Sequence, residues 1–406
     1  MRDVPRRILI CPDSFKGSLT ATEAAESIAR GIRRVLPAAV VEQIPLADGG
    51  EGTLEVLLRV LGGEKKGLWV TGPLGEPVWA EYGVLAGSRL ALLELAQVAG
   101  LTLVPPEKRD PTRTTTYGLG ELFQVVCRKS CAPGGRTPIP EIWIGLGGSA
   151  TVDAAAGMAQ ALGYRLLDAA GDPIGLGGGE LARLERIEPP ARRLWQGKRI
   201  RALCDVQNPL TGSLGAAAVF GPQKGATPLQ VQQLDHALQH WASLVERDLG
   251  QSVDRIPGAG AAGGAGAGLV AFLGATLESG IRLLWQQASL QERIQHCDLI
   301  VTGEGRLDEQ SCMGKVVGVV LEEAVLAGKP LLILCGQATA AARAKLATYP
   351  LPVDIGVICD GPPGLVEQEW IPDVAEAQQQ ASLYLEQLAA RKFQELLQQE
   401  PGSAKV

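Results

Sequence analysis

Six short apolar runs punctuate the chain: Ile8 to Cys11, Val40 to Leu46, Ile142 to Leu146, Leu299 to Thr302, Leu331 to Cys335 and Ile355 to Cys359. Each ends in a loop containing Gly or Asp. Runs of this length without polar alternation predict strands covered on both faces, as in a parallel sheet. Helical periodicity follows several of them. After the first, Thr20-Ala-Thr-Glu23 has the spacing of a capping box, and Ala24, Ile28, Ile32 and Val35 recur on one face. Repeated strand, loop and helix predict βα units whose loops gather at the carboxyl edge of the sheet, where ligands bind.

Two stretches break this pattern. Leu68 to Leu95 and Tyr164 to Ile174 alternate in short runs around the turn pairs Pro73 to Pro77 and Ala170 to Pro173, and they read as antiparallel hairpins. The predicted fold is therefore α/β: a Rossmann/flavodoxin-like parallel-sheet domain interrupted by a second mixed α/β domain. The expected boundaries are 1–67, 118–163 and 290–406 for the first domain and 68–117 and 164–289 for the second, with the active site in the cleft. A Gln-rich amphipathic packing helix is predicted over 374–397, with Val374, Ala377, Ala381, Leu385, Leu388 and Leu396 on one side.

Composition sharpens this picture. Glycine supplies 51 of 406 residues and aromatics only 4%, so the core must be built from Leu, Val, Ile and Ala, with many close backbone approaches. The net charge of −6 and the lack of any dense Lys/Arg stretch make nucleic acid an unexpected partner. The apolar run near the N-terminus is too short for a signal peptide. The uncharged stretch Ile256 to Leu277 opens with Gly and Ala, which lack the apolar surface to drive insertion, so no membrane is expected either. The eight cysteines include no CxxC pair and no nearby histidine, and a reducing, cytoplasmic location is the expectation. His236, His240 and His296 lie away from the loops that follow the strands, so histidine acid/base chemistry is not expected.

Candidate chemistry sits in those loops. In Cys11 to Ser18, Lys16 and nearby amides can meet an anion beside a helix start; a merely solvated lysine is the plain alternative. Ala47-Asp-Gly-Gly-Glu-Gly-Thr53 places Asp48 and Glu51 among three glycines, suited to Mg²⁺ ligation or proton abstraction, or to an Asx turn. Gly145-Leu-Gly147-Gly148-Ser149-Ala150 satisfies G-x-G-x-x-A, with Asp168 at the distance of a ribose-binding acid. It predicts a phosphate cradle in which Gly147 to Ala150 open a helix with their amides facing the cleft. Tight helix–strand packing is the alternative. Asp205 stands at a strand end before an Asn-Pro turn, and Lys224 between glycines. Glu304, Arg306 and Asp308, with Gly303 and Gly305, crowd a glycine loop after an apolar strand. Arg306 suits bidentate phosphate or carboxylate binding and Asp308 a metal or hydroxyl, unless the two form a structural pair.

Taken together, PDSFKGSLTATEAA (12–25), PLADGGEGT (45–53), TGPLGEPV (71–78), RDPTRTTTYGLGEL (109–122), IGLGGSATVDAAAGMAQALG (144–163), CDVQNPLTG (204–212), FGPQKGAT (220–227), PGAGAAGGAGAG (257–268) and DLIVTGEGRLDEQSCMGK (298–315) resemble the type-I glycerate kinases in order along the chain. The chain departs from the family at Val152-Asp153-Ala154-Ala155, usually Asn-Asp-Gly-Gly, at Gln310-Ser311, usually Gln-Thr, and in a loop insertion at Ala132 to Pro140. The resemblance implies phosphorylation of D-glycerate by ATP with Mg²⁺, to 2-phosphoglycerate, by two α/β domains of which one is discontinuous and flavodoxin-like.

On that reading Lys16 and Arg306 are the expected cations at the transferring phosphoryl group or the glycerate carboxylate, and Asp205 is the expected base. Asp48, Asp308 and Glu304 are the metal candidates. Gly145, Gly147, Gly148, Ser149, Ala150, Lys224, Gly303 and Gly305 are expected at the nucleotide. The carboxylate roles are exchangeable. Three alternatives stay open: an NAD(P)-dependent oxidoreductase using the loop at 145–150, a non-catalytic ligand-binding protein, and phosphorylation at the 3-hydroxyl. Oligomeric state is left open, a homo-oligomer included.

Overall fold

The computed structural model describes residues 5–50, 52–85, 89–128, 139–309, 311–312, 314–360 and 378–398. Glu51, Cys131, Val374 and Ala377 lie outside the described residues. The chain opens with β1 (Arg7–Ile10) and β2 (Val40–Gln43). It continues through β3 (Gly63–Thr71), β4 (Pro77–Leu85), β5 (Leu90–Glu94), β6 (Glu141–Gly145), β7 (Arg165–Leu167), β8 (Arg186–Glu188), β9 (Arg199–Leu203) and β10 (Thr276–Glu278). It closes with β11 (Leu299–Leu307), β12 (Leu331–Ala338) and β13 (Val353–Val357). Two compact units result, one of residues 1–48 and 281–406, the other of residues 49–280.

In the first unit the sheet order is β13-β12-β11-β1-β2, every pairing parallel. Counted along the sheet's own strands this is 2-1-3-4-5, the flavodoxin-like order, whose switch point lies between β1 and β11. The apolar runs explain it. Ile8 to Ile10 and Leu331 to Cys335 are buried throughout, as strands covered on both faces must be. The helix Ala21–Val35 starts with the expected capping box, the Glu23 amide donating to Thr20 Oγ1 at 3.1 Å and the Thr20 amide to Glu23 Oε2 at 2.8 Å. Its buried face meets Leu385, Leu388, Ala389 and Phe393 of the helix Ala381–Gln398. Gly31 makes that approach close: a Cβ there would stand 2.2 Å from the Glu386 carbonyl oxygen.

The second unit has a mixed sheet, β10-β9-β6-β5-β4-β3, with β5, β6, β9 and β10 parallel and β3 and β4 antiparallel. The interrupted α/β architecture is thus present, with different boundaries. Residues 118–163, expected in the first domain, belong to the second unit, because β6 pairs with β5 and β9. The Gly/Ala run enters the helix Ala261–Leu273, broken by left-handed backbone at Ala262, Gly263 and Gly264. Among the described residues no helix is long and apolar enough to cross a membrane.

Candidate active site

Beside the switch point of the first unit lies a cavity of about 380 Å³. Asp13 and Lys16 reach it from the turn after β1, Asp48 from the loop after β2, and Glu304, Arg306 and Asp308 from β11 and its end. The stretch Gly303 to Leu307 was expected as a glycine loop; it is a continuation of β11, with Glu304 opposite Cys335 and Arg306 opposite Gln337 of β12. The two-residue repeat of a strand then presents Glu304 and Arg306 on one face. Gly303 is where this pairing is tightest, since a Cβ would lie 1.9 Å from the Leu334 carbonyl oxygen.

Three lining residues escaped the sequence reading. Asp13 is pinned to β11 by its amide, which donates to the Gly303 carbonyl at 2.8 Å, while its Oδ1 accepts from the Ser14 amide at 2.6 Å. Ser311 closes the β11 loop, donating from its amide to Asp308 Oδ1 at 3.0 Å and accepting at Oγ from the Asp308 amide at 3.1 Å. Lys315, directly before the helix Val316–Ala327, adds a third cation.

Burial and like charge dominate this cavity. Burial, then Asp48, pushes the Asp13 carboxyl up to about 8, against the Ser14 amide and Lys16. Burial raises Glu304 to about 7, with Asp308 adding and Ser311, Lys315 and Lys16 opposing. Glu304 Oε1 is buried with no hydrogen-bond partner among the described residues. Acids held this way ionise readily once a cation arrives. The expected metal set Asp48, Glu304 and Asp308 shares the cavity but does not converge: among the described residues no three His, Cys, Asp or Glu side chains stand close enough to hold a metal ion. Mg²⁺ commonly takes one or two carboxylates and completes its shell with water and phosphate, so the orphaned Glu304 oxygen and this donor set fit it.

The glycine loop of the second unit is built differently. Gly147 to Ala150 do not open a helix; the next helix is Ala156–Ala161, after left-handed Ala154 and Ala155. Two of the expected phosphate-binding amides are already engaged, Gly147 with the Gly49 carbonyl at 3.2 Å and Ala150 with the Ala99 carbonyl at 2.8 Å. Gly145 and Gly147 are glycine because the strand end packs on backbone: Cβ atoms there would lie 2.6 Å from the Gly49 oxygen and 2.3 Å from Gly50 Cα. Among the described residues, the amides of Gly148 and Ser149 have no backbone acceptor.

Lys224, expected at the nucleotide, is buried beneath this loop. Its Nζ donates to Ser149 Oγ and the Thr151 carbonyl, each at 2.7 Å. Burial brings it down to about 7, opposed by Asp153. The fully buried Asp153 carboxylate accepts from the Thr116 amide and hydroxyl at 2.9 and 2.8 Å. Asp205, expected as the base, follows β9 and accepts from the Ser279 hydroxyl. Asp168 accepts from the Ala170 and Asp172 amides and from Arg183, so it caps its own turn instead of waiting for a ribose.

A model of the glycerate kinase family matches residues 8–350. The chain belongs to the glycerate kinase family. It is 47% identical over 332 residues to a glycerate kinase of Halalkalibacterium halodurans, covering 81% of this chain and 85% of that protein. It is 46% identical over 335 residues to the glycerate 2-kinase of Escherichia coli K12, covering 82% and 86%. A crystal structure from Salmonella typhimurium LT2, provisionally designated glycerate kinase 2, superposes with a TM-score of 0.77 at 40% identity, covering 96% of this chain and 98% of that one. As a member of the glycerate kinase family the chain is a kinase, and neither the oxidoreductase nor the passive binding alternative is favoured.

Proposed function

We propose that the chain transfers the γ-phosphoryl group of ATP to the 2-hydroxyl of D-glycerate, with the charged cavity of the first unit as the place of chemistry. The observation that carries this reading is the cavity itself: three cations and four acids, one with an orphaned oxygen, at the switch point of a kinase of this family. The glycerate 2-kinase of Escherichia coli, a close relative by sequence, supports the 2-hydroxyl over the 3-hydroxyl.

Phosphoryl transfer needs positioning and charge neutralisation more than a strong nucleophile. Lys16 and Arg306 bind the transferring phosphoryl oxygens and the glycerate carboxylate, Arg306 offering a two-pronged hold. Lys315 adds positive charge on the same side. Mg²⁺ bound with the nucleotide would neutralise developing charge, and Glu304 and Asp308, with Asp48, would hold it. The Gly305 backbone borders the cavity. In the second unit the amides of Gly148 and Ser149 are the donors left for phosphate. Incubating the protein with MgATP and D-glycerate and assigning the product by ³¹P NMR tests the reading. Phosphorus coupled to the C2 proton is expected; coupling to the C3 protons would move the reaction to the other hydroxyl.

A further inference from the structure

We infer that Asp13 is the catalytic base that takes the proton from the glycerate hydroxyl, an inference that rests on the glycerate kinase reading. Four acids line the cavity of the first unit, and their surroundings separate them. Asp308 is engaged with Ser311, whose amide and hydroxyl both reach Oδ1, at 3.0 and 3.2 Å. Glu304, which lines the cavity, has a buried oxygen with no hydrogen-bond partner among the described residues, the arrangement of a group that holds a cation. Asp48 lies in a loop, followed by Gly49 and Gly50. Asp13 is fixed on both sides: Cys11 and Asp13 donate their amides to the Val301 and Gly303 carbonyls of β11, each at 2.8 Å, and the Ser14 amide holds Oδ1 at 2.6 Å. A base must stand at a set distance from the proton it removes, and a short tether from a central strand provides that. Lys16, three residues on, borders the same cavity.

The step balances simply. As the hydroxyl oxygen forms its bond to the γ-phosphorus, its proton passes to the Asp13 carboxylate, the bond from γ-phosphorus to the β,γ-bridging oxygen breaks, and its electron pair leaves with ADP. Asp13 later returns the proton to water.

The test compares Asp13→Asn, Asp13→Glu and Asp205→Asn with the wild type in steady-state assays with MgATP and D-glycerate, alongside melting curves. Asparagine keeps an oxygen for the Ser14 amide but cannot take the proton. Its expected kcat is lower by ~10²–10⁴, the usual range for a positioned base, with KM for both substrates within a few-fold of wild type. Asp13→Glu should recover part of the loss, which a purely structural role would not allow. Asp205→Asn should retain most turnover. An Asp13→Asn variant with near-normal kcat, or one whose loss lies wholly in KM, overturns the assignment alone; a wild type without glycerate-dependent ADP formation overturns the underlying reading with it. If Asp13→Asn melts early, Asp13→Glu decides: a well-folded glutamate variant no more active than the asparagine one counts against the base.

Discussion

The two loop clusters of this chain look alike in sequence and differ in what they leave unsatisfied. In the second unit the loop after β6 is tied to its neighbours, with the Gly147 and Ala150 amides bonded to the Gly49 and Ala99 carbonyls and Lys224 buried against Ser149 and Thr151. In the first unit the cavity beside β1 and β11 gathers four acids, of which burial and like charge hold Asp13 and Glu304 above their usual range, and an oxygen of Glu304 has no partner among the described residues. A folded chain tolerates such cost where a ligand supplies the missing charge. The glycine-rich fingerprint is thus largely engaged in contacts of the fold, whereas the less conspicuous turn at Asp13 to Lys16 borders a cavity of closely spaced charges.

The sharpest way to break this contrast is to remove charge from the first unit. Lys16→Ala or Arg306→Ala should each lower kcat by ~10²–10³, the usual loss for one transition-state charge contact, with the melting temperature unchanged because both side chains are exposed. The opposite signature is expected from Gly147→Ala. Its new methyl would stand 2.3 Å from Gly50 Cα, an overpacking that costs ~1–3 kcal/mol, read as a lower urea midpoint.

Lys224 gives a third, pH-dependent signature. Its folded value of about 7 lies below the ordinary 10.5, so between these the unfolded chain binds the extra proton. Stability then rises with pH across that window, by at most ~1.4 kcal/mol per pH unit, and below it the buried charge opposes folding in full. Urea midpoints between pH 7.5 and 9 should climb in the wild type and flatten in Lys224→Met. The smallest effect is expected at Asp168, a turn acid whose amide partners an asparagine oxygen can still serve: Asp168→Asn should shift stability by less than ~1 kcal/mol. NADH should not raise the melting temperature of the wild type.

Much of this was legible in the chain because it is local. The apolar runs became β1, β2, β6, β11, β12 and β13, the Thr20 capping box formed, and the turn at 73–77 joined an antiparallel pair. What escaped depends on distant partners. The strand character of Gly303 to Leu307 appears only through its register with β12. Lys224 looked like a loop cation because Ser149 and Thr151, which bury it, lie more than seventy positions earlier. Asp13 was overshadowed by Lys16 in the same loop, and its anchoring to Gly303 spans most of the chain. The helix expected from Gly147 starts only at Ala156, after Ala154 and Ala155 in left-handed backbone, a conformation that alanine disfavours and that the local sequence does not announce.

The most direct test of the central claim is ³¹P NMR of MgATP with D-glycerate, run on the wild type and on a Lys16→Ala/Arg306→Ala double variant at equal concentration. The account predicts that the wild type converts glycerate to 2-phosphoglycerate with matching ADP, and that the double variant, though folded, forms neither at a comparable rate. Undiminished conversion by the double variant, or no glycerate-dependent ADP from the wild type, would contradict it.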